Sequence, residues 1–309
     1  MTNKIILSSS TIQSVLTCPR KFILNYANPH RTESLATGVG TAVHQALQTA
    51  TEHSLEPDSY RQGLKALLRS YPHQLFLDAS TRERANRSLL SCAVAVENTL
   101  QQLNQQGMKL AQINGKPASE VDFLLDLVGT APQAGDVAFA YSGSIDSVFV
   151  DTGGQVIITD YKTTTKDIHL AQLQYQKSLQ ACIYAIVLSN ALGIQPTDID
   201  YQYIIIKLDN TFGEVAFERH RITADSIEDA RRYLAFYTTS LQSCFRANYF
   251  PPHSGSCTQF NRQCYFCDQC NNHQCEIAVR EALSLPDTYR YAYLETGKTD
   301  YDIRGVLVL

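Results

Sequence analysis

The stretch from Tyr141 to Thr164 constrains this chain more than any other. Tyr141–Val150 and the run Val156-Ile157-Ile158-Thr159-Asp160-Tyr161-Lys162-Thr163-Thr164 read as two strands, and Asp151-Thr152-Gly153-Gly154 between them is a hairpin turn signal. Side chains alternate along a strand, so Asp160 and Lys162 share one face. Antiparallel pairing then brings Asp146 close to Asp160. Two carboxylates and an ammonium at the end of a buried strand suit a metal-dependent phosphodiesterase. Magnesium prefers hard oxygen ligands, supplies a water nucleophile and stabilises the charge developing on phosphate. Lys162 is placed to orient or deprotonate that water, or to stabilise the transition state. Asp-x-Lys taken alone reads first as a surface salt bridge of little worth, so the surroundings decide.

Those surroundings contribute further groups. Gln176, Gln180 and Tyr184 recur every four residues on a helical pattern, which puts them on one face, with Leu179, Ile183 and Ile186 packing between. His44 sits among the core-like Val43, Ala46 and Leu47. With two acids in hand it becomes a candidate third ligand, although a lone histidine there also reads as a structural group. Glu120 opens a strand-like run and is assigned a supporting role.

The 309 residues carry 26 Lys+Arg against 30 Asp+Glu, a net charge of −4. Any nucleic-acid contact must therefore come from a local basic patch rather than from the overall charge. Arg20 and Lys21 are candidates for phosphate contact, with a solvated helix face as the competing reading. The N-terminus lacks a signal-peptide core and no stretch approaches 20 apolar residues in length, so the chain is expected in the cytoplasm. Nine cysteines are many for that compartment, and Cys257, Cys264, Cys267, Cys270 and Cys275 fall within nineteen residues. Disulfides are disfavoured there, so the group reads as a metal or iron–sulfur site. A local zinc site using Cys264, Cys267, Cys270 and Cys275, with His273 nearby, fits the spacing as well. Cys92, Cys182 and Cys244 lie in apolar helical contexts and read as core.

Along the chain, Ser8-Ser9-Ser10-Thr11 caps a short helix reaching Tyr26. Gly38 and Gly40 precede a helix over 41–52, and 57–71 and 80–105 follow as helices. Strands occupy 109–150, then 155–163. One long helix is expected over 168–192, strands over 199–208 and 214–222, and a helix over 224–247. A cysteine-rich loop follows Pro251-Pro252, then a short helix near 277–283 and a tail. This order predicts an α/β fold with a mixed central sheet and helices on its faces. The expected organisation is one domain over 1–309: a mainly helical part (1–106), a catalytic core (107–247), a cysteine-rich segment (248–284) and a tail (285–309).

Taken together, these motifs resemble RecB-like nucleases of the PD-(D/E)XK superfamily, in particular their iron–sulfur branch, which includes AddB nuclease domains and CRISPR-associated adaptation exonucleases. The resemblance rests on Ser8-Ser9-Ser10-Thr11-Ile12 with Cys18-Pro19-Arg20-Lys21-Phe22, then Gly40-Thr41-Ala42-Val43-His44, Gly143-Ser144-Ile145-Asp146, Asp160-Tyr161-Lys162-Thr163, Gln180-Ala181-Cys182-Ile183-Tyr184, and Phe250-Pro251-Pro252 before the cysteines, in that order. It implies a restriction-endonuclease-like core. It also implies that His44, Asp146, Asp160 and the Tyr161 carbonyl bind Mg²⁺ or Mn²⁺, that Lys162 is catalytic, and that Gln180 and Tyr184 support the site or the DNA. Cys18 would join three C-terminal cysteines around a [4Fe-4S] cluster. The family pattern Cys-x2-Cys-x5-Cys is not met, because with five residues left between them the position after Cys264 and Cys267 falls on His273. Cys18, Cys257, Cys264 and Cys270 are therefore the expected ligands, with Cys267 and Cys275 as alternatives.

The expected activity is a metal-dependent deoxyribonuclease, an exonuclease acting on DNA ends or single strands in repair, recombination or CRISPR-type processing. The rival reading is a non-catalytic or partner-dependent DNA-binding subunit of a helicase–nuclease or integration complex. No Gly-x4-Gly-Lys-Ser/Thr motif occurs, so this chain is not read as an ATP-driven motor.

Overall fold

In the computed structural model the residues described are 4–29, 35–53, 55, 58–72, 87–129, 136–175, 179–208, 213–259, 262–284, 301 and 303–309. The architecture is mixed α/β, with a mixed sheet flanked by helices. The chain divides into two compact units: Met1–Arg31 with Asp122–Gly143 and Glu228–Leu309, and Thr32–Val121 with Ser144–Ile227.

The second unit holds the hairpin that dominates the sequence. Strand β6 (Ala138–Val150) contributes its residues from Ser144 onward and pairs antiparallel with β7 (Val156–Thr164), Ser147 opposite Thr159 and Val150 opposite Val156. The Asp151 carboxylate closes the turn by accepting from the Gly153 and Gln155 N–H groups at 2.9 and 3.0 Å. Gly154 supplies the left-handed conformation the turn requires, at φ +84°. Strand β8 (Ile199–Lys207) runs parallel to β7, and β9 (Glu214–Arg221) antiparallel to β8.

Helices α3 (Leu35–Glu52) and α5 (Leu89–Gln105) pack on one face of this sheet, and α4 (Ser59–Ser70) packs on both of them. Val39, Ala42, Val43, Ala46, Leu47 and Ala50 form the apolar stripe of α3 and pack with Phe149, Ile157, Tyr161, Ile204 and Ile206 of the strands. Because Ile157 and Tyr161 point into this core, Asp160 and Lys162 point to the other face. There α7 (Leu179–Leu192) packs against β7 and β8, buried from Ala181 to Ser189. The expected helix over 168–192 is represented by α6 (Ile168–Tyr175) and α7. Residues 176–178, Gln176 among them, lie outside the described residues, as does the 80–86 part of the expected helix over 80–105.

Gly38 and Gly40 were expected to precede α3 but lie inside it. A Cβ on Gly40 would stand 3.0 Å from Thr163 Oγ1, so the missing side chain permits close approach of α3 to β7 beside Lys162.

In the first unit, β1 (Lys4–Leu7) pairs parallel with the Ala138–Tyr141 end of β6. Strand β12 (Ile303–Val308), in what was expected to be a tail, pairs parallel with β5 (Ser119–Val128) along Phe123–Val128. The expected single helix up to Tyr26 is instead α1 (Ser9–Thr17) and α2 (Pro19–Ala27), separated at Cys18, which is extended at φ −166°, ψ 107°. Pro19 is the cause, since its ring disfavours helical backbone in the residue before it. Helix α8 (Ala224–Ala247) joins this unit from Glu228 onward, where Phe245 contacts Phe139 and Phe250. Helix α9 (Asn272–Ser284) packs on α2. Among the described residues no helix is long and apolar enough to cross a membrane.

Candidate active site

The β6–β7 pairing reaches Ser147 opposite Thr159, and Asp146 and Asp160 are the next residues beyond that pair on the two strands. Asp146 Oδ2 accepts from the Tyr161 N–H at 2.9 Å and lies 3.5 Å from His44 Nδ1. His44 therefore reaches the acids from α3, and its ring also hydrogen-bonds the Tyr161 backbone and meets the Tyr161 ring edge-on, centroids 5.8 Å apart. Asp160 is 2 % exposed, and its Oδ2 ion-pairs with Lys162 Nζ. His44, Asp146, Asp160, Tyr161 and Lys162 are thus brought together.

Burial governs the electrostatics. It pushes the Asp160 carboxyl up to about 6, with Asp146 adding to the rise and Lys162 opposing it. Asp146 is raised for the same reason, against the pull of Lys162 and the Tyr161 N–H. Burial also pulls on the Lys162 ammonium, but Asp160 and Asp146 together hold it above the ordinary lysine value. His44 is lowered to about 4 by burial and by Lys162, so its ring is neutral at physiological pH. A buried and a half-buried carboxylate, a neutral imidazole and a backbone carbonyl form a donor set that fits a hard divalent cation. As the side chains stand, Asp160 is turned onto Lys162. No three His, Cys, Asp or Glu side chains among the described residues converge at ligand distance.

On α7, Gln180 Nε2 donates to Tyr184 Oη at 2.6 Å, the contact that their spacing of four permits. Glu120 takes a left-handed backbone at φ +49° and accepts from Ser144 Oγ at 3.1 Å, two residues before Asp146. Tyr201 and Tyr203, which the sequence reading missed, sit on β8 beside Asp160. Their signal was available, because alternate residues of a strand adjoining β7 share the face of Asp160.

In the first unit, Cys18, Cys257, Cys264, Cys267 and Cys270 line one cavity with Lys21, Pro252, His253 and Ser256. The cavity wall is tied together by His253 N–H donating to Cys18 Sγ at 3.4 Å and Ser256 Oγ to the Thr17 carbonyl at 2.5 Å. A short hairpin separates Cys257 from Cys264, and turns closed by Cys267 N–H to the Cys264 carbonyl and Cys270 N–H to the Cys267 carbonyl carry the rest. Clustering shows in the chemistry: burial, then Cys267, Cys270, Cys264 and Cys18, raise the Cys257 thiol. Cys275 is buried beside Arg20 and outside that lining. Cys92 and Cys182 are buried and Cys244 half-buried. Cysteine sulfurs around one cavity are the kind of donor a soft metal or cluster takes.

Arg20, expected at the surface against phosphate, is buried. Its guanidinium donates to the Phe250 carbonyl at 3.0 Å and Asn272 Oδ1 at 2.7 Å, with a longer contact to the Cys270 carbonyl, and lies over the Tyr249 ring. Those donors are spent on protein acceptors. Lys21 is half-buried at the cysteine cavity.

A family model for the PD-(D/E)XK nuclease superfamily matches residues 6–273, and the chain belongs to that superfamily. Membership implies a nuclease. Among solved structures, one described as "Crystal structure of SSO0001" aligns over 72 % of this chain and 84 % of its own, at 13 % identity and a TM-score of 0.27. No curated protein matches the chain.

Proposed function

We propose that the chain is a Mg²⁺- or Mn²⁺-dependent deoxyribonuclease of the RecB-like, iron–sulfur type, an exonuclease acting on DNA ends or single strands. The observation that carries this reading is the convergence of His44, Asp146, Asp160 and Lys162 on one edge of a nuclease-superfamily sheet. His44, Asp146, Asp160 and the Tyr161 carbonyl would hold the ion. When bound, it supplies an activated water and charge stabilisation at the scissile phosphate. Lys162, kept protonated by two acids, is suited to neutralise a phosphate oxygen as charge develops there rather than to act as a base. The Tyr161 N–H fixes the Asp146 carboxylate, and the Gln180–Tyr184 pair braces the α7 side of the site.

The cysteine cavity is assigned to a [4Fe-4S] cluster held by Cys18, Cys257, Cys264 and Cys270, with Cys267 as the alternative ligand and Zn²⁺ as the alternative metal. Its role is to join α2 to the 250–270 segment. Free thiols suit a reducing compartment, the cytoplasm. The family match runs through segments of both units, which supports one nuclease domain. The process served is DNA repair, recombination or CRISPR-type processing, alone or with a helicase or integration partner.

The test is cleavage of end-labelled single-stranded and duplex DNA by anaerobically purified protein. Cleavage that requires Mg²⁺ or Mn²⁺ and disappears in Lys162→Ala is expected, with the label pattern giving polarity. Absence of cleavage with either metal by protein loaded with its cluster would favour the non-catalytic subunit.

A further inference from the structure

The buried face that carries Asp160 holds a second polar group that the reading above does not use. In the β7–β8 register Asp160 lies beside Tyr203 and Ile158 beside Tyr201, so both phenols stand on the acid's face. Their rings are 4.8 Å apart, and both side chains are fully buried. Among the described residues the Tyr201 hydroxyl has no hydrogen-bond partner. Neither does Asp160 Oδ2, apart from its ion pair with Lys162.

An unpartnered buried hydroxyl is costly, and such groups in native proteins are usually satisfied by a water, an ion or a function. Here an orphan donor shares a buried face with a carboxylate held by Lys162. We infer that Tyr201 is a positioning residue for Asp160, its hydroxyl donating to the carboxylate directly or through one buried water and so holding that carboxylate oriented for the divalent ion. The inference rests on the metal reading proposed above. It differs from ordinary packing in that the ring would serve the core while the oxygen alone serves the ion.

Tyr201→Phe removes only that oxygen. Metal-free wild type, Tyr201→Phe and Asp160→Asn are titrated with Mn²⁺, and the free ion is read by electron paramagnetic resonance. Thermal unfolding in EDTA is recorded in parallel. Wild type is expected to bind and Asp160→Asn to lose binding. Tyr201→Phe should bind about tenfold more weakly, the worth of one hydrogen bond to a charged group, with unfolding in EDTA unchanged. In cleavage assays it should need more Mn²⁺ for half-maximal rate and keep its rate at saturation. Wild-type affinity in Tyr201→Phe overturns the inference and leaves the metal site standing. So does a lower unfolding temperature with unchanged affinity, which would mark the hydroxyl as structural. Failure of wild type itself to bind Mn²⁺ overturns both.

Discussion

Replacing Asp160 by asparagine should stabilise the metal-free protein and abolish its activity. Asp160 is 2 % exposed, and its carboxyl is raised from 3.8 to about 6. A carboxyl held above its unfolded value binds its proton more tightly in the fold, so the ionised form opposes folding. That penalty is fully present above about pH 6 and disappears as pH falls below 3.8. The shift corresponds to about 3 kcal/mol at neutral pH. The attraction of Lys162 is already contained in that shift. The gain is therefore about 3 kcal/mol, a rise of about 5 °C in unfolding temperature for a chain of this size. Thermal unfolding in EDTA at pH 7.5 and at pH 5 measures it, and the gain should shrink at the lower pH. Adding Mn²⁺ should stabilise wild type by mass action and leave Asp160→Asn unmoved. A variant less stable than wild type in EDTA would refute the reasoning, since Asp160 would then be a satisfied structural ion pair rather than an acid strained for function.

Three further outcomes are expected. Mn²⁺ affinity should be level above neutral pH and fall at least ~tenfold per unit below about 6, because the ion competes with protons on Asp160 and Asp146, both raised by burial, while His44, lowered to about 4, stays neutral; calorimetric affinities that do not change down to pH 5 would contradict this. In Gly63→Ala the new Cβ would stand 2.8 Å from the Ala46 carbonyl oxygen and 3.1 Å from Ala50 Cβ. The helix-propensity gain of ~1 kcal/mol is outweighed by an overpacking cost of about 1–3 kcal/mol against backbone that cannot yield, so the unfolding temperature should drop by a few degrees and, as α3 carries His44, Mn²⁺ should bind more weakly. Arg20→Met should leave the Phe250 carbonyl and Asn272 without their donor at a cost of ~2 kcal/mol, lowering both the unfolding temperature and the iron recovered with the protein; a variant that keeps its iron and stability but loses DNA affinity would return Arg20 to the phosphate backbone.

Much of the site was legible because it depends on short-range rules. Period-two alternation placed Asp160 and Lys162 together, the Asp151–Gly154 turn fixed the register that sets Asp146 beside Asp160, and a spacing of four joined Gln180 to Tyr184. What escaped depends on packing between distant segments. Gly38 and Gly40 look like helix breakers, yet both lie in α3, where Gly40 admits Thr163. The Val306-Leu307-Val308 run carried a strand signal that nothing local could pair, and its partner is β5. Arg20 resembled a surface cation until the carbonyl of Phe250, more than two hundred residues away, closed over it. Pro19 was a readable signal that was overlooked, and the break it causes is what leaves Cys18 extended at the cysteine cavity.

If His44, Asp146 and Asp160 form one divalent-ion site at the edge of the sheet, anomalous diffraction from crystals soaked in Mn²⁺ will locate it. A single strong peak is expected among those three side chains, with Asp160 turned away from Lys162. A peak elsewhere, or none at this edge in crystals whose protein cleaves DNA with Mn²⁺, would contradict it.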